Sequence, residues 1–208
     1  ERIDYIVSNH SEMDHTGSLP EAAARIKPDK ILASANGVKA LKAHFHDAFP
    51  VDAVDTNAGV NLGNRTLQFV ETKMLHWPDS MFSYLVEEGI LFSQDGFGMH
   101  LASSQRYADE LDPGILDYEA AKYYANILLP FGPMVNQVLG KASTLDIRMI
   151  APDHGPIWRK DLRHIVDCYG KWAAQAPTRK AVIVYETMWG STERMARAIE
   201  DGLVSNGI

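Results

Sequence analysis

Residues 10 to 15 read His-Ser-Glu-Met-Asp-His, which sets four side chains able to ligate a metal, His10, Glu12, Asp14 and His15, within six positions. They follow an apolar, strand-like run, Ile3-Asp4-Tyr5-Ile6-Val7. Imidazoles and carboxylates are costly to bury unpaired, so a domain that gathers them at the end of a core strand usually compensates with a cation. Three more candidates sit where a strand-like run gives way to a loop: His76 after Thr66–Glu71, Asp95 after Ile90–Ser93, and His154 after Arg148–Ala151. Such loops are where rigid scaffolds present functional side chains. Four imidazoles and three carboxylates are too many for one tetrahedral site and suit two metals that share a bridge. Two divalent ions against three carboxylates leave one positive charge for a bridging hydroxide to balance. The mixed oxygen and nitrogen donors fit iron, manganese or zinc. Cys168 is the only cysteine, which excludes internal disulfides, thiolate-held clusters and CxxC motifs.

The elements that must position these residues alternate short β-rich runs with helices, an α/β pattern. Strands are predicted at Arg2–Ser8, Lys30–Ser34, Val51–Asp55, Thr66–Glu71, Phe82–Glu87, Ile90–Ser93 and Arg148–Ala151. Glu88-Gly89 reads as a hairpin turn between two of them. Helices are predicted at Pro20–Ile26, Val38–Phe45, Tyr118–Leu128, Pro133–Leu139 and Leu162–Trp172, with Pro130 and Pro133 breaking one long apolar stretch into two.

Gln175-Ala176-Pro177-Thr178 reads as a linker, so a first domain is expected over residues 1–176 and the start of a second over 177–208. The second opens with a buried-type strand, Lys180–Tyr185, and a helix, Glu193–Leu203. Between them lies Thr187-Met188-Trp189-Gly190-Ser191-Thr192, a turn that aims backbone N–H groups and three hydroxyls at a helix N-terminus, where an anion is favoured. Taken alone it is a modest phosphate-loop signal. Both ends read as cut, and the chain is expected to be a fragment.

A formal net charge of −7 argues against nucleic acid or an anionic membrane as the main partner. No apolar run approaches the roughly 20 residues that span a bilayer, and a cytoplasmic protein is expected. His44, His46, His100 and His164 read as structural or surface residues; His44 and His46, two apart on a helix, point away from each other. Trp77, Tyr123 and Tyr124 read as aromatic core ahead of site-wall or electron-path residues, Cys168 as a small buried hydrophobe, and Asp79 and Asp153 as acceptors for ligand N–H groups or as loop caps.

Four motifs in order carry a resemblance to the flavodiiron proteins, or A-type flavoproteins: His10-x-Glu12-x-Asp14-His15, His76-Trp77-Pro78-Asp79-Ser80-Met81, Asp95-Gly96-Phe97-Gly98 and Pro152-Asp153-His154-Gly155-Pro156. The resemblance implies a metallo-β-lactamase-like αββα sandwich, truncated at its N-terminus, followed by the first β-α unit of a flavodoxin-like domain. Hydrolytic metallo-β-lactamase relatives usually carry His where this chain has Glu12, and a carboxylate there suits a redox diiron centre. By the resemblance, His10, Glu12 and His76 bind one iron, Asp14, His15 and His154 bind the other, and Asp95 bridges them, with Asp95 and His15 at the catalytic centre. Thr187–Thr192 then resembles the FMN-phosphate loop of flavodoxins. The implied enzyme is an oxidoreductase reducing O2 to water, NO to N2O, or both, with a rubredoxin or flavin-reductase type of donor and a head-to-tail homodimer in the intact protein. Electron counting agrees: a diferrous centre and a fully reduced flavin hold two electrons each, the four that O2 needs, while two NO need two. The rival from another class is a binuclear zinc hydrolase of metallo-β-lactamase type. The 208-residue piece alone is expected to be inactive or nearly so.

Overall fold

A computed structural model describes residues 2–56 and 58–208; Glu1, where the first expected domain begins, and Asn57 lie outside the described residues. The chain divides into two compact units, Glu1–Ala174 and Gln175–Ile208.

The first unit runs β1 (Tyr5–Ser8), α1 (Met13–Thr16), α2 (Leu19–Ile26), β2 (Lys30–Ala33), α3 (Ala35–Phe45), β3 (Asp52–Ala53), β4 (Val60–Asn61), β5 (Thr66–Glu71), β6 (Met81–Leu85), β7 (Ile90–Gln94), α4 (Pro113–Ile127), α5 (Gly132–Ala142), β8 (Met149–Pro152) and α6 (Leu162–Ala173). Strands β1-β2-β3 form a parallel sheet, and β4-β5-β6-β7-β8 a second sheet, antiparallel except where β8 joins β7 in parallel.

Period-2 alternation explains how the layers stack, since neighbouring strand residues face opposite sides. On β2, Ile31 and Ala33 pack with Leu19 and Leu41 under α2 and α3, while Leu32 joins Phe69 and Met81 of the other sheet. On β6, Met81 faces that inter-sheet layer, and Phe82 and Tyr84 face the largest core, under α4, α5 and α6. Three cores separate four layers, the αββα sandwich expected.

The strand and helix bounds differ from the sequence reading by a few residues. Helix α4 starts five residues early because Asp112 caps it, its side chain accepting from Gly114 N at 2.8 Å and Ile115 N at 3.1 Å, with Pro113 in the first turn. A 3-10 turn, Leu129–Phe131, separates α4 from α5 where the two prolines required a break. Gly89, at a φ of 67°, closes the β6–β7 hairpin in a conformation that side chains resist.

In the second unit α7 (Ser191–Ser205) forms as expected, two residues longer at each end. Lys180–Tyr185 departs from expectation: it is not paired as a strand, and Val182 and Val184 are 87% and 89% exposed rather than buried. An apolar run gains the β state only through a neighbouring strand and a covering layer, and neither lies among the described residues of this unit.

Candidate metal centre

The ligand candidates all leave strands at one edge of the two sheets. His10 and Glu12 lie in the turn after β1, and Asp14 and His15 lie on α1. His76 is in the β5–β6 loop, Asp95 follows β7 and His154 follows β8. The edge is closed where Met81 N donates to Asn9 O at 2.8 Å and Ser83 Oγ to Asn9 Oδ1 at 2.6 Å, tying the second sheet to the loop after β1. Backbone at positive φ marks the bends that turn the chain inward: Met74 at 65° before His76, Gln94 at 45° before Asp95, and Phe97 at 65°. Non-glycine residues hold such angles only where surrounding contacts impose them.

Asp95 is 2% exposed and divides its two oxygens. Oδ2 lies 3.0 Å from His10 Nε2 and 2.9 Å from His76 Nε2. Glu12 Oε2 completes that group, 3.5 Å from His10 Nε2 and 3.0 Å from His76 Nε2. Oδ1 faces the other way, 3.2 Å from His15 Nε2 and 3.4 Å from His154 Nε2. Asp14 closes the second group, with Oδ1 3.4 Å from His15 Nε2 and Oδ2 3.2 Å from His154 Nε2.

Donors held 2.0–2.2 Å from one metal are about 3.0 Å apart at octahedral angles and about 3.4 Å at tetrahedral ones, the range found in both groups. Buried polar atoms are normally hydrogen-bonded, yet His10 Nε2, His15 Nε2 and Asp95 Oδ1 have no hydrogen-bond partner despite these close neighbours. Their ligand atoms instead cluster within 4.8 Å of one another in each group, close enough to share an ion. The donor set therefore fits metal on both sides of Asp95; His15 lies near enough to be grouped with His10, Glu12 and Asp95 as well as with Asp14 and His154, but its short contacts to Asp14 and to Asp95 Oδ1 place it in the second group.

Electrostatics point the same way. Burial would raise the Asp95 carboxyl, but His10, His15 and His76 around it hold it far below the usual range. Burial likewise opposes charge on His15, and the carboxylates of Asp153 and Asp95 overcome this, lifting the imidazole to about 10. His76 is raised against burial by Asp95 and Glu12. Carboxylates that draw positive charge this strongly would draw a divalent ion more strongly still.

Of the outer residues, Asp153 meets its expectation, with Oδ2 3.2 Å from His15 Nδ1, where it would fix the ring's orientation. Asp79 does not reach a ligand ring; its Oδ2 accepts from Ser11 Oγ at 2.6 Å. Tyr124 is core, packed edge-on to Tyr169 and tilted against Trp172. Tyr123 is also buried but belongs to the site: burial first, and then the Asp95 carboxylate, pushes its hydroxyl well above the ordinary tyrosine value. Its ring centre is 6.4 Å from that of His154, and His100 packs against both, at 4.8 and 5.3 Å. No spacing signal marks Tyr123 or His100: helix packing brings the tyrosine to the ligands, and the loop after Asp95 brings the histidine. Trp77 stands edge-on between His10 and His44, 6.3 Å from each. Cys168 is partly exposed instead of buried, 4.0 Å from His164 Nε2 on the preceding turn of α6. In the second unit Thr187–Thr192 leads into α7, with Gly190 at a φ of 73° as its N-cap and Thr187 Oγ1 buried without a partner.

Residues 1–155 match the family described as ODP family beta lactamase. The chain belongs to this family. It is 47% identical to a nitric oxide reductase of Moorella thermoacetica, over 99% of this chain and 52% of that protein. It is 40% identical to a rubredoxin-oxygen oxidoreductase of Megalodesulfovibrio gigas, over 99% of this chain and 52% of the relative. A solved flavodiiron protein from Giardia intestinalis superposes with a TM-score of 0.91 at 37% identity, covering 99% of this chain and 51% of that one. The chain thus spans about half the length of the curated relatives it matches. Its fold is the metallo-β-lactamase-like domain of flavodiiron proteins, as the four motifs implied. No helix among the described residues is long and apolar enough to cross a membrane.

Proposed function

We propose that the chain is the metal-bearing part of a flavodiiron oxidoreductase that reduces O2 to water, NO to N2O, or both. The observation that carries this is Asp95, whose Oδ2 and Oδ1 face two separate groups of nitrogen and carboxylate donors. In this reading His10, Glu12, His76 and Asp95 hold one iron, and Asp14, His15, His154 and Asp95 the other. Glu12 gives the first group a second carboxylate, which suits iron cycling between charge states better than a third imidazole would. The names of the relatives, a nitric oxide reductase and a rubredoxin-oxygen oxidoreductase, support both substrates and a rubredoxin-type donor.

Bound iron would supply the electrons and Lewis acidity that reduction of O2 or NO requires. The chain's own residues do the rest. Asp95, buried and ionised, holds the two positions at a fixed spacing. Asp153 orients His15 from behind. The Tyr123 hydroxyl stays protonated beside Asp95 and so can donate a hydrogen bond into the site.

We further assign residues 1–176 to the diiron domain and 177–208 to the start of a flavodoxin-like FMN domain, in which Thr187 to Thr192 cradle the phosphate. The buried, unpartnered Thr187 hydroxyl and the N-terminus of α7 support that assignment. A head-to-tail homodimer would bring one subunit's flavin to the other's metals. The test is anaerobic reconstitution of the intact protein with iron, followed by O2 and NO consumption assays with a reduced donor. Turnover of either gas is expected; zinc content with ester or lactam hydrolysis and no gas consumption would contradict it.

A further inference from the structure

Asp79, three residues after His76, is 3% exposed and lies outside both donor groups. Its Oδ2 accepts a 2.6 Å hydrogen bond from the hydroxyl of Ser11, itself fully buried between His10 and Glu12. One hydrogen bond thus joins the two loops that supply His10, Glu12 and His76. The Asp79 end is anchored independently. Ser34 Oγ, the cap of α3, donates to Asp79 O at 2.7 Å and accepts from Gly37 N at 3.0 Å, while Asn36 Nδ2 donates to Pro78 O at 3.2 Å.

The carboxylate sits over the first turn of α3, where a Cβ on Gly37 would be 3.6 Å from Oδ2 and the helix dipole favours negative charge. Asp79 Oδ1 is buried with no partner, so the carboxylate is costly to keep here. The Ser11 hydroxyl and the helix terminus are what offset that cost. The second donor group has a separate outer partner, Asp153 against His15.

We propose that Asp79 is a positioning residue for one metal site only: through Ser11 it sets the spacing of His10 and Glu12 from His76, and it does so without touching the metal. The inference rests on the two-metal reading above. It differs from a purely structural role, in which Asp79 merely caps α3 and its loss would loosen the whole domain.

The test uses the full-length protein loaded anaerobically with ⁵⁷Fe and compares wild type with Ser11→Ala, Asp79→Asn and Asp153→Asn. Ser11→Ala removes the link while leaving the contacts between Asp79 and α3 in place, so it reports even if Asp79→Asn fails to fold. Iron affinity at one of the two sites is expected to fall about 10–100-fold in Ser11→Ala and Asp79→Asn, as for other residues that orient ligands. One Mössbauer doublet should change while the other stays as in wild type. Asp153→Asn should alter the opposite doublet. Two unaltered doublets in both variants would overturn the proposal alone, as would equal weakening of both sites. Fewer than two irons in wild type would overturn the two-metal reading and the proposal with it.

Discussion

Asp95 is where the two donor groups meet, and its loss should be felt by both. Replacing it with Asn keeps the shape but removes the charge that faces four imidazoles within 3.4 Å. Asp95→Asn is expected to lower bound iron in the intact protein from about two per chain to one or fewer and to abolish gas reduction, with unchanged far-UV circular dichroism. Retained turnover would contradict its role. At this scale the sequence was legible where chemistry is written in residue type: His10, Glu12, Asp14, His15, His76, Asp95 and His154 were all named from their kinds and strand-end positions, and the structure brings them together. Tyr123 was legible only as core or site wall, without a role. A tyrosine on an apolar helix face reads as core, and it is core; only the packing of α4 against the ligand loops sets it beside Asp95.

At the scale of elements, the second sheet carries the ligand loops, so its core should govern their stability. Leu91, on β7 four residues before Asp95, is fully buried, and Leu91→Ala is expected to cost about 2–5 kcal/mol in denaturant unfolding. Gly155 makes a more local test. It holds a φ of 82°, and a Cβ there would lie 2.7 Å from Met99 Cγ and 2.8 Å from Met99 O. The adjacent strap, in which Met99 N donates to His154 O at 3.2 Å, fixes the last ligand. Gly155→Ala should therefore displace His154, at a cost of about 1–3 kcal/mol of backbone strain, and weaken iron at its site. Unchanged iron binding would show that the strap does not hold the ligand. Most strands were legible because their apolar periodicity agrees with turn residues such as Gly89. Lys180–Tyr185 was not, because an apolar run states a preference while pairing needs a neighbour.

For the molecule as a whole, the two units should answer differently to metal. All seven donors lie in the first unit, so iron bound only by the folded state should stabilise that unit by about 2.7 kcal/mol at a free concentration 100 times the dissociation constant. In the intact protein, chelation should lower the melting transition of the domain that contains the first unit and leave that of the domain begun by the second in place; a common shift of both would contradict this division of labour. The α/β character was legible from the alternation of strands and helices and the αββα layering only through the family resemblance, whereas the pairing of β8 with β7 across the α4–α5 segment came only with the structure. The most direct test of the account is the number of irons that the intact protein binds at saturation under anaerobic titration. Two per chain, with Mössbauer spectra of a coupled pair, is the expected result. A single iron per chain, or two that are magnetically independent, would contradict a centre bridged by Asp95.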